Sequence, residues 1–314
     1  MIISASYKTD IPAFYGAWFL NRLKAGYCKM VNPYGRQVHR VSLKPSDVDG
    51  IVFWTKNIGP FLKYLPEVRG MGFPFIVQHT INGYPRALES SVVDARRAIG
   101  NVALVRNLYG SRVAVWRYDT ILFSSLTPAS FHVDNFASLA EGLRGIADEV
   151  VISFAQIYKK TRRNLDAAAS SAGFEWVDPD REEKKRLTAE LVTIARANGM
   201  QLTVCSQRAF LAEGAGEARC VDARRMEDVA GRRIGAKLKG NREECGCFES
   251  RDIGEYDTCP HGCVYCYAVQ RRSMALERYR RHNPDSEFLF EPEAGAHGDR
   301  DGGRADARLT LFEG

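Results

Sequence analysis

The chain has 314 residues, of which 45% are apolar, and a formal net charge of +6. This length fits about two domains or one large α/β domain with an appendage, and the apolar content excludes a disordered or collagen-like chain. No apolar run approaches the ~20 residues that span a bilayer, and we recognise no secretion signal. We therefore expect a cytoplasmic protein without a membrane segment.

The predicted elements alternate between strands and helices. Short apolar runs rich in Val, Ile or Phe predict buried parallel strands at 1–6, 49–54, 74–80, 112–118, 149–155 and 201–206. Capping residues predict helices beginning at Asp10 and Asp180, and periodicity predicts two more at 87–100 and 130–147. The alternation predicts an α/β fold, a partial or permuted (β/α) TIM-like barrel.

Polar side chains follow the ends of these strands, where such barrels place their active sites. Arg117 has the planar fork that suits a carboxylate or phosphate, although it and Asp119 also fit a structural ion pair. We predict a catalytic set of Arg117, Asp119 and Lys56, with Asp10 and Thr55 contacting a cofactor.

Three cysteines, Cys259, Cys263 and Cys266, form a C-x3-C-x2-C run. Their short loops bring three sulfurs to one small volume, which suits a cubane iron–sulfur cluster with one iron left open. Zinc more often takes four ligands from C-x2-C pairs. The run predicts an iron–sulfur site, with zinc as the alternative.

With Tyr265 at the aromatic position, this run resembles the C-x3-C-x-aromatic-C signature of the radical S-adenosylmethionine (SAM) superfamily. The resemblance implies a [4Fe–4S] cluster whose open iron binds SAM, and reductive cleavage of SAM to a 5′-deoxyadenosyl radical. It also implies a reductant such as flavodoxin or ferredoxin. On this basis Tyr265 and Tyr267 join Asp10 and Thr55 as candidate cofactor contacts.

Wider stretches resemble one uncharacterised prokaryotic family, catalogued as a domain of unknown function, over residues 1 to about 281. The runs that carry this resemblance are Ile3–Ser6 with Thr9–Pro12, Ile51–Asn57, Trp116–Asp119 and Tyr265–Ala268. Gln207 stands where members usually have an acidic residue, so we assign that position no role.

In the radical SAM superfamily that this run resembles, the three-cysteine loop normally follows the first barrel strand, but here it lies near the C-terminus. It follows a predicted strand at 248–254 and precedes a predicted helix at 267–281, which indicates a circular permutation. We expect a barrel at 1–207 and a cysteine-rich iron–sulfur module at 208–282 that completes it. No Gly-Gly-Glu triplet is present to hold the SAM amino group.

Four more cysteines are candidates for a second metal site: Cys205, Cys220, Cys245 and Cys247. They suit an auxiliary [4Fe–4S] cluster, a structural zinc, or no metal at all. Cys28 stands alone and is expected to be a small buried apolar side chain.

Two further features point towards nucleic acid. The Gly-rich segment 231–242 carries five basic residues and no acid, which fits either a phosphate contact or an exposed linker. Residues 283–314 are expected to be disordered, and Arg308–Phe312 resembles the bacterial sliding-clamp-binding motif, with Arg in place of the first Gln. The alternative is an apolar tail that folds back on the body.

The resemblance implies a radical SAM enzyme, and the basic body and the clamp-like tail favour nucleic acid as its substrate, in DNA repair or modification. Two alternatives remain open: a non-catalytic iron–sulfur protein that binds nucleic acid, and a zinc-binding interaction module.

Overall fold

The computed structural model describes residues 1–32, 37–240 and 242–292, and the backbone of 297–300. Its strands in chain order are β1 (Ile2–Ala5), β2 (Tyr27–Val31), β3 (Gln37–Ser42), β4 (Gly50–Thr55), β5 (Phe75–Thr80), β6 (Ala114–Ile121), β7 (Phe123–Ser124), β8 (Glu149–Phe154), β9 (Trp176–Val177), β10 (Gln201–Val204), β11 (Gly216–Glu217), β12 (Ser250–Asp252) and β13 (His297–Arg300). Its α-helices are α1 (Ile11–Phe14), α2 (Gly16–Ala25), α3 (Leu65–Gly70), α4 (Ala95–Tyr109), α5 (Ala129–Gly142), α6 (Lys159–Ala172), α7 (Arg181–Ala197), α8 (Ala223–Ala230) and α9 (Arg272–Arg280).

An eight-stranded parallel sheet forms the centre of the molecule, in the order β11-β10-β8-β6-β5-β4-β1-β12. Six of these strands were predicted from their apolar runs, and all six form. β12 falls inside the strand predicted at 248–254 and pairs with β1, with Ile2 opposite Ser250. The fold is thus α/β, and β11 and β12 bring residues from the cysteine-rich segment into the same sheet as the N-terminal strands.

Both faces of the sheet are buried, which explains why the strands read as continuous apolar runs. In β4, Ile51 and Phe53 pack on one face with Trp18 and Phe19, whereas Val52 faces the opposite side. The far half of the sheet packs on α5 and α7 through a second cluster that contains Trp116 and Phe136.

Helix ends follow the capping pattern. Asp10 caps α1, its Oδ1 accepting a hydrogen bond from the Ala13 amide at 2.9 Å, and Asp180 caps α7 in the same way through Glu183. The expected first helix is split at Tyr15 into α1 and α2, and it ends at Gly26, whose φ of 76° favours glycine.

Two helix predictions were wrong at their beginnings. The helix expected at 87–100 begins at Ala95, because Asp94 accepts a hydrogen bond from the Arg96 amide and caps α4 there. The helix expected at 267–281 begins only at Arg272. In both cases the residues before the helix pack around the three-cysteine loop.

The expectation of disorder from residue 283 was wrong for 283–292. The Trp18 indole donates a hydrogen bond to the Ser286 carbonyl at 3.0 Å, and Leu289 is buried in the core. A loop rich in polar residues is ordered here because it satisfies donors on α2 and β2. Residues 308–312 lie outside the described residues. No helix in the part of the chain described is long and apolar enough to cross a membrane.

Candidate functional site

A cavity of about 280 Å³ lies where the central strands end. All the residues that were predicted from the sequence to form the site line this cavity. They are Asp10, Thr55, Lys56, Arg117, Asp119, Cys205, Cys220, Cys245, Cys247, Cys259, Cys263, Cys266, Tyr265 and Tyr267. Residues far apart in sequence thus meet in one place, at the end of the sheet where α/β proteins bind their ligands.

Cys259, Cys263 and Cys266, here called the cysteine trio, share one wall of this cavity. Burial raises the pKa of all three thiols, that of Cys259 to about 12. The pKa of Cys259 and that of Cys263 are raised further by the neighbouring Cys266 thiol. Such burial favours the neutral thiol until a positive charge, for example a metal, stabilises the thiolate.

The loop that carries the trio is shaped by contacts with residues 88–91. The Ser91 amide donates to the His261 carbonyl at 3.0 Å, and the Val264 amide donates to the Leu88 carbonyl at 3.1 Å. Gly262 has a φ of 74°, and a Cβ there would come within 2.3 Å of the Ser90 hydroxyl oxygen. Only glycine fits this turn, so the spacing within C-x3-C depends on it.

Asp10 fastens three segments to each other. Its Oδ2 accepts a hydrogen bond from the Lys56 amide at 2.7 Å and lies 2.7 Å from His261 Nε2, while Oδ1 caps α1. Both carboxylate oxygens are therefore engaged within the chain. Asp10 was predicted to contact a cofactor, and in this structure it holds the trio loop against the ends of β1 and β4.

Lys56 ends in a buried cluster with Glu89, Asn82 and Tyr265. Its Nζ lies 2.8 Å from Glu89 Oε1 and 3.1 Å from the Tyr265 hydroxyl, which also donates to Glu89. Asn82 donates to both Glu89 and Tyr265 at 3.0 Å. Burial lowers the pKa of Lys56 and raises that of Glu89, but the attraction between the pair outweighs both effects, so both stay charged.

Arg117 forms a second buried ion pair across the cavity. Its Nε donates to Asp119 at 3.0 Å and its Nη2 also bonds this carboxylate, whereas Nη1 donates to Gln78 at 3.3 Å and contacts Cys220 Sγ at 3.0 Å. The guanidinium also lies 5.1 Å from the Trp54 ring centre. The fork predicted to hold an external anion is thus occupied by groups of the chain itself.

Asn82 connects the two ion pairs. Its side-chain oxygen accepts a hydrogen bond from the Asp119 amide at 2.9 Å, and its amide group donates to Glu89 on the other side. Sequence reasoning missed Asn82, Glu89 and His261. Glu89 was missed because it lies in the segment 87–100, which was predicted to be helical. For His261, the sequence offered only its position between two cysteines of the motif.

Cys205, Cys220, Cys245 and Cys247, here called the cysteine quartet, come together from three parts of the chain. The Sγ atoms of Cys205 and Cys220 are 3.4 Å apart, and the Val221 amide donates to Cys247 Sγ at 3.4 Å. Cys247 exchanges hydrogen bonds with Cys220 and with Cys245. The bond with Cys220 lowers the pKa of Cys247, but the bond with Cys245 and burial outweigh it and raise the pKa to about 12. Arg117 lies beside this set, with its Nη1 3.0 Å from Cys220 Sγ.

The remaining candidates have structural contacts. Thr55 Oγ1 accepts a hydrogen bond from the Asn57 amide at 2.9 Å, and the Tyr267 hydroxyl donates to the Tyr7 carbonyl at 2.7 Å. Cys28 is fully buried away from the cavity, as expected.

Soft thiol donors are the ligands that iron–sulfur clusters and zinc prefer, so both cysteine sets have suitable chemistry. Within residues 1–32, 37–240 and 242–292, no group of three or more His, Cys, Asp or Glu side chains is arranged around a single ion position.

The fold and cavity define an α/β protein with a parallel sheet and a cysteine-lined site at its strand ends. The chain belongs to the family described as Domain of unknown function (DUF1848), whose model matches residues 2–268. That match includes both cysteine sets. No curated protein and no solved structure matches this chain.

Proposed function

We propose that this protein is a radical SAM enzyme, with a [4Fe–4S] cluster held by Cys259, Cys263 and Cys266. The observation that carries the proposal is the trio itself: three half-buried cysteines from one eight-residue loop line a cavity at the carboxyl ends of parallel strands. Three ligands from so short a loop suit a cluster with one open iron better than a closed zinc site.

The order of the strands supports a permuted barrel. If β12 preceded β1 in the chain, the sheet order from β12 to β11 would follow the order of the strands along the chain. The trio loop follows β12, and it would then follow the first strand of the sheet, as the resemblance requires. A partial (β/α) barrel of this kind depends on which strands are neighbours in space, not on where the chain begins.

In this proposal the chain prepares the site in three ways. The trio thiols hold the cluster, which when bound supplies the electron for reductive cleavage of SAM. Asp10 fixes the loop through His261, and Glu89 neutralises Lys56 beside Tyr265. The walls of the cavity keep water away from reactive species, as catalysis of this kind needs.

The quartet is proposed as a second metal site, either an auxiliary [4Fe–4S] cluster or a structural zinc. Its support is the convergence of thiols that lie up to 42 residues apart, from Cys205 to Cys247, beside the positive charge of Arg117. Metal analysis of a Cys245→Ser/Cys247→Ser variant against the wild type distinguishes iron from zinc.

The proposed substrate is nucleic acid, and the proposed electron donor is flavodoxin or ferredoxin. The support is the net positive body of the chain and the clamp-like sequence Arg308–Phe312, which would bring the enzyme to DNA. Absence of binding between a peptide of the last ten residues and a sliding clamp, measured by calorimetry, would remove the second of these supports.

The experiment that tests the proposed enzyme is anaerobic reconstitution followed by iron and sulfide analysis and an assay for 5′-deoxyadenosine with dithionite and SAM. The wild type should form 5′-deoxyadenosine, and a Cys259→Ala/Cys263→Ala/Cys266→Ala variant should not. Cys28→Ala is the matched control, because that thiol is buried outside the cavity. An iron-containing wild type that never cleaves SAM would favour the non-catalytic alternative, and stoichiometric zinc in a colourless protein would favour the interaction module.

A further inference from the structure

The cysteine-lined cavity opens into a much larger groove of about 1,510 Å³. Residues that line both spaces form the passage between them, here called the throat: Tyr7, Lys8, Gln156, Tyr158, Ser206, Gln207 and Arg242. A substrate that enters the inner cavity from the groove must pass these side chains, so their chemistry selects what enters.

Arg242 is the main positive charge of the throat. It is exposed to solvent, and its guanidinium makes no hydrogen bond or ion pair with the part of the chain that the structure describes. Arg117, in contrast, has its fork filled by Asp119, Gln78 and Cys220. An arginine that lines a cavity and has no such partners suits a carboxylate or a phosphate, which it binds through two parallel hydrogen bonds.

Tyrosine rings surround this charge. Tyr7 and Tyr158 belong to the throat, Tyr256 lines the groove beside it, and Tyr267 lines the inner cavity. Lys8 Nζ lies 5.7 Å from the Tyr7 ring centre and 5.4 Å from that of Tyr256. The hydrogen bond from Tyr267 to the Tyr7 carbonyl fixes these two residues relative to each other.

Aromatic faces next to an arginine without protein partners suit a ligand that carries both a base and a phosphate. Rings stack on bases without regard to sequence, and arginine recognises phosphate. These tyrosines lie at positions 7, 158, 256 and 267, so no local sequence pattern predicts that they lie close together.

We propose that the throat binds a nucleotide unit of the substrate, with the Arg242 fork on a phosphate and the tyrosine rings against the base. The inference rests on the proposed function, because it treats the inner cavity as the place of reaction. It adds a substrate class, a phosphate-bearing nucleoside, and a specificity-determining residue, Arg242. The nucleotide is either free or part of a single strand.

The test is calorimetry on the full chain with three probes: thymidine, thymidine 5′-monophosphate and a ten-residue single-stranded oligothymidylate. Arg242→Gln should weaken binding of the two phosphate-bearing probes at least tenfold, which corresponds to about 1.4 kcal/mol. Arg242→Lys, which keeps the charge without the fork, should fall between the wild type and Arg242→Gln. Arg233→Gln is the matched control, because this arginine is exposed on the same basic segment and lines neither space.

Binding of the monophosphate would indicate a free nucleotide, and binding of the oligomer alone would indicate a strand. The inference is overturned if the wild type binds neither phosphate-bearing probe, or if Arg233→Gln and Arg242→Gln weaken binding equally. The same proteins are assayed for 5′-deoxyadenosine without substrate. A wild type that cleaves SAM but binds no nucleotide refutes only this inference, whereas one that binds nucleotide without cleaving SAM refutes the proposed function.

Discussion

The two cysteine sets occupy one cavity but are built differently. The trio comes from a single loop of eight residues, and the quartet comes from the end of β10, the segment before α8 and the stretch before β12. Each set has its own buried ion pair, Lys56–Glu89 beside the trio and Arg117–Asp119 beside the quartet. A local motif can be recognised in sequence, whereas a set assembled by the fold has no linear signature.

Replacement of Glu89 should produce the largest effect on the trio side. Glu89→Gln leaves the buried Lys56 ammonium without its charged partner, and we expect the free energy of unfolding to fall by about 3–5 kcal/mol. Denaturant unfolding measures this loss. The control is Glu67→Gln, which removes an exposed pair with Lys24 and should cost less than about 1 kcal/mol. Equal losses in the two variants would contradict a buried charge cluster behind the trio.

His79, a fully buried residue of β5 whose Nε2 accepts a hydrogen bond from the Ile58 amide at 3.3 Å, provides a pH test near Asp10 and Lys56. Burial lowers the pKa of His79 to about 4, whereas an unfolded histidine titrates near ~6.5. The unfolded state therefore binds more protons, and this contribution to stability is full above pH 6.5 and is lost as the pH falls towards 4. Between pH 6 and 4.5, the free energy of unfolding should fall more steeply with pH for the wild type than for His79→Asn, by about 1.4 kcal/mol per pH unit. Denaturant unfolding at a series of pH values measures this difference. If the free energy of unfolding changed equally with pH in the two proteins, the pKa of His79 would not be lowered in the folded state.

Asp10 tests whether the trio loop depends on one carboxylate. Asp10→Ala removes a helix cap and the acceptor of Lys56 and His261, so we expect a loss of about 2–3 kcal/mol. Asp94→Ala removes only the cap of α4 and should cost about 1 kcal/mol. If the Asp10 variant lost no more than the Asp94 variant, the contacts to the trio loop would contribute nothing.

Arg117→Lys should have the smallest effect and should act on the quartet side. A lysine ammonium cannot bond Asp119, Gln78 and Cys220 together as the guanidinium does, so a loss of about 1–2 kcal/mol is expected. Arg208→Lys at an exposed pair with Glu217 is the control and should leave stability nearly unchanged. If folded Arg117→Lys protein cleaved SAM more slowly than the wild type, the two sides of the cavity would be coupled. Asn82 is the residue that joins them.

The sequence predicted what is local and periodic. Apolar runs gave the central strands, and Asp10 and Asp180 marked helix starts, because burial and capping act over neighbouring residues. Glu89 was missed because apolar periodicity does not show where a helix begins, and Asp94 was the capping signal that separated Glu89 from α4. The contact of Arg117 with Cys220 and the tyrosines of the throat depend on strand order, which no single segment encodes.

The central claim is that the trio alone holds a cluster with an open iron. The most direct measurement is low-temperature EPR of reduced, reconstituted Cys245→Ser/Cys247→Ser protein, recorded with and without SAM after circular dichroism has confirmed its fold. This variant removes half of the quartet and leaves the trio intact. Our account predicts a cluster signal that changes when SAM is added. A signal that is absent, or one that SAM does not alter, would contradict it.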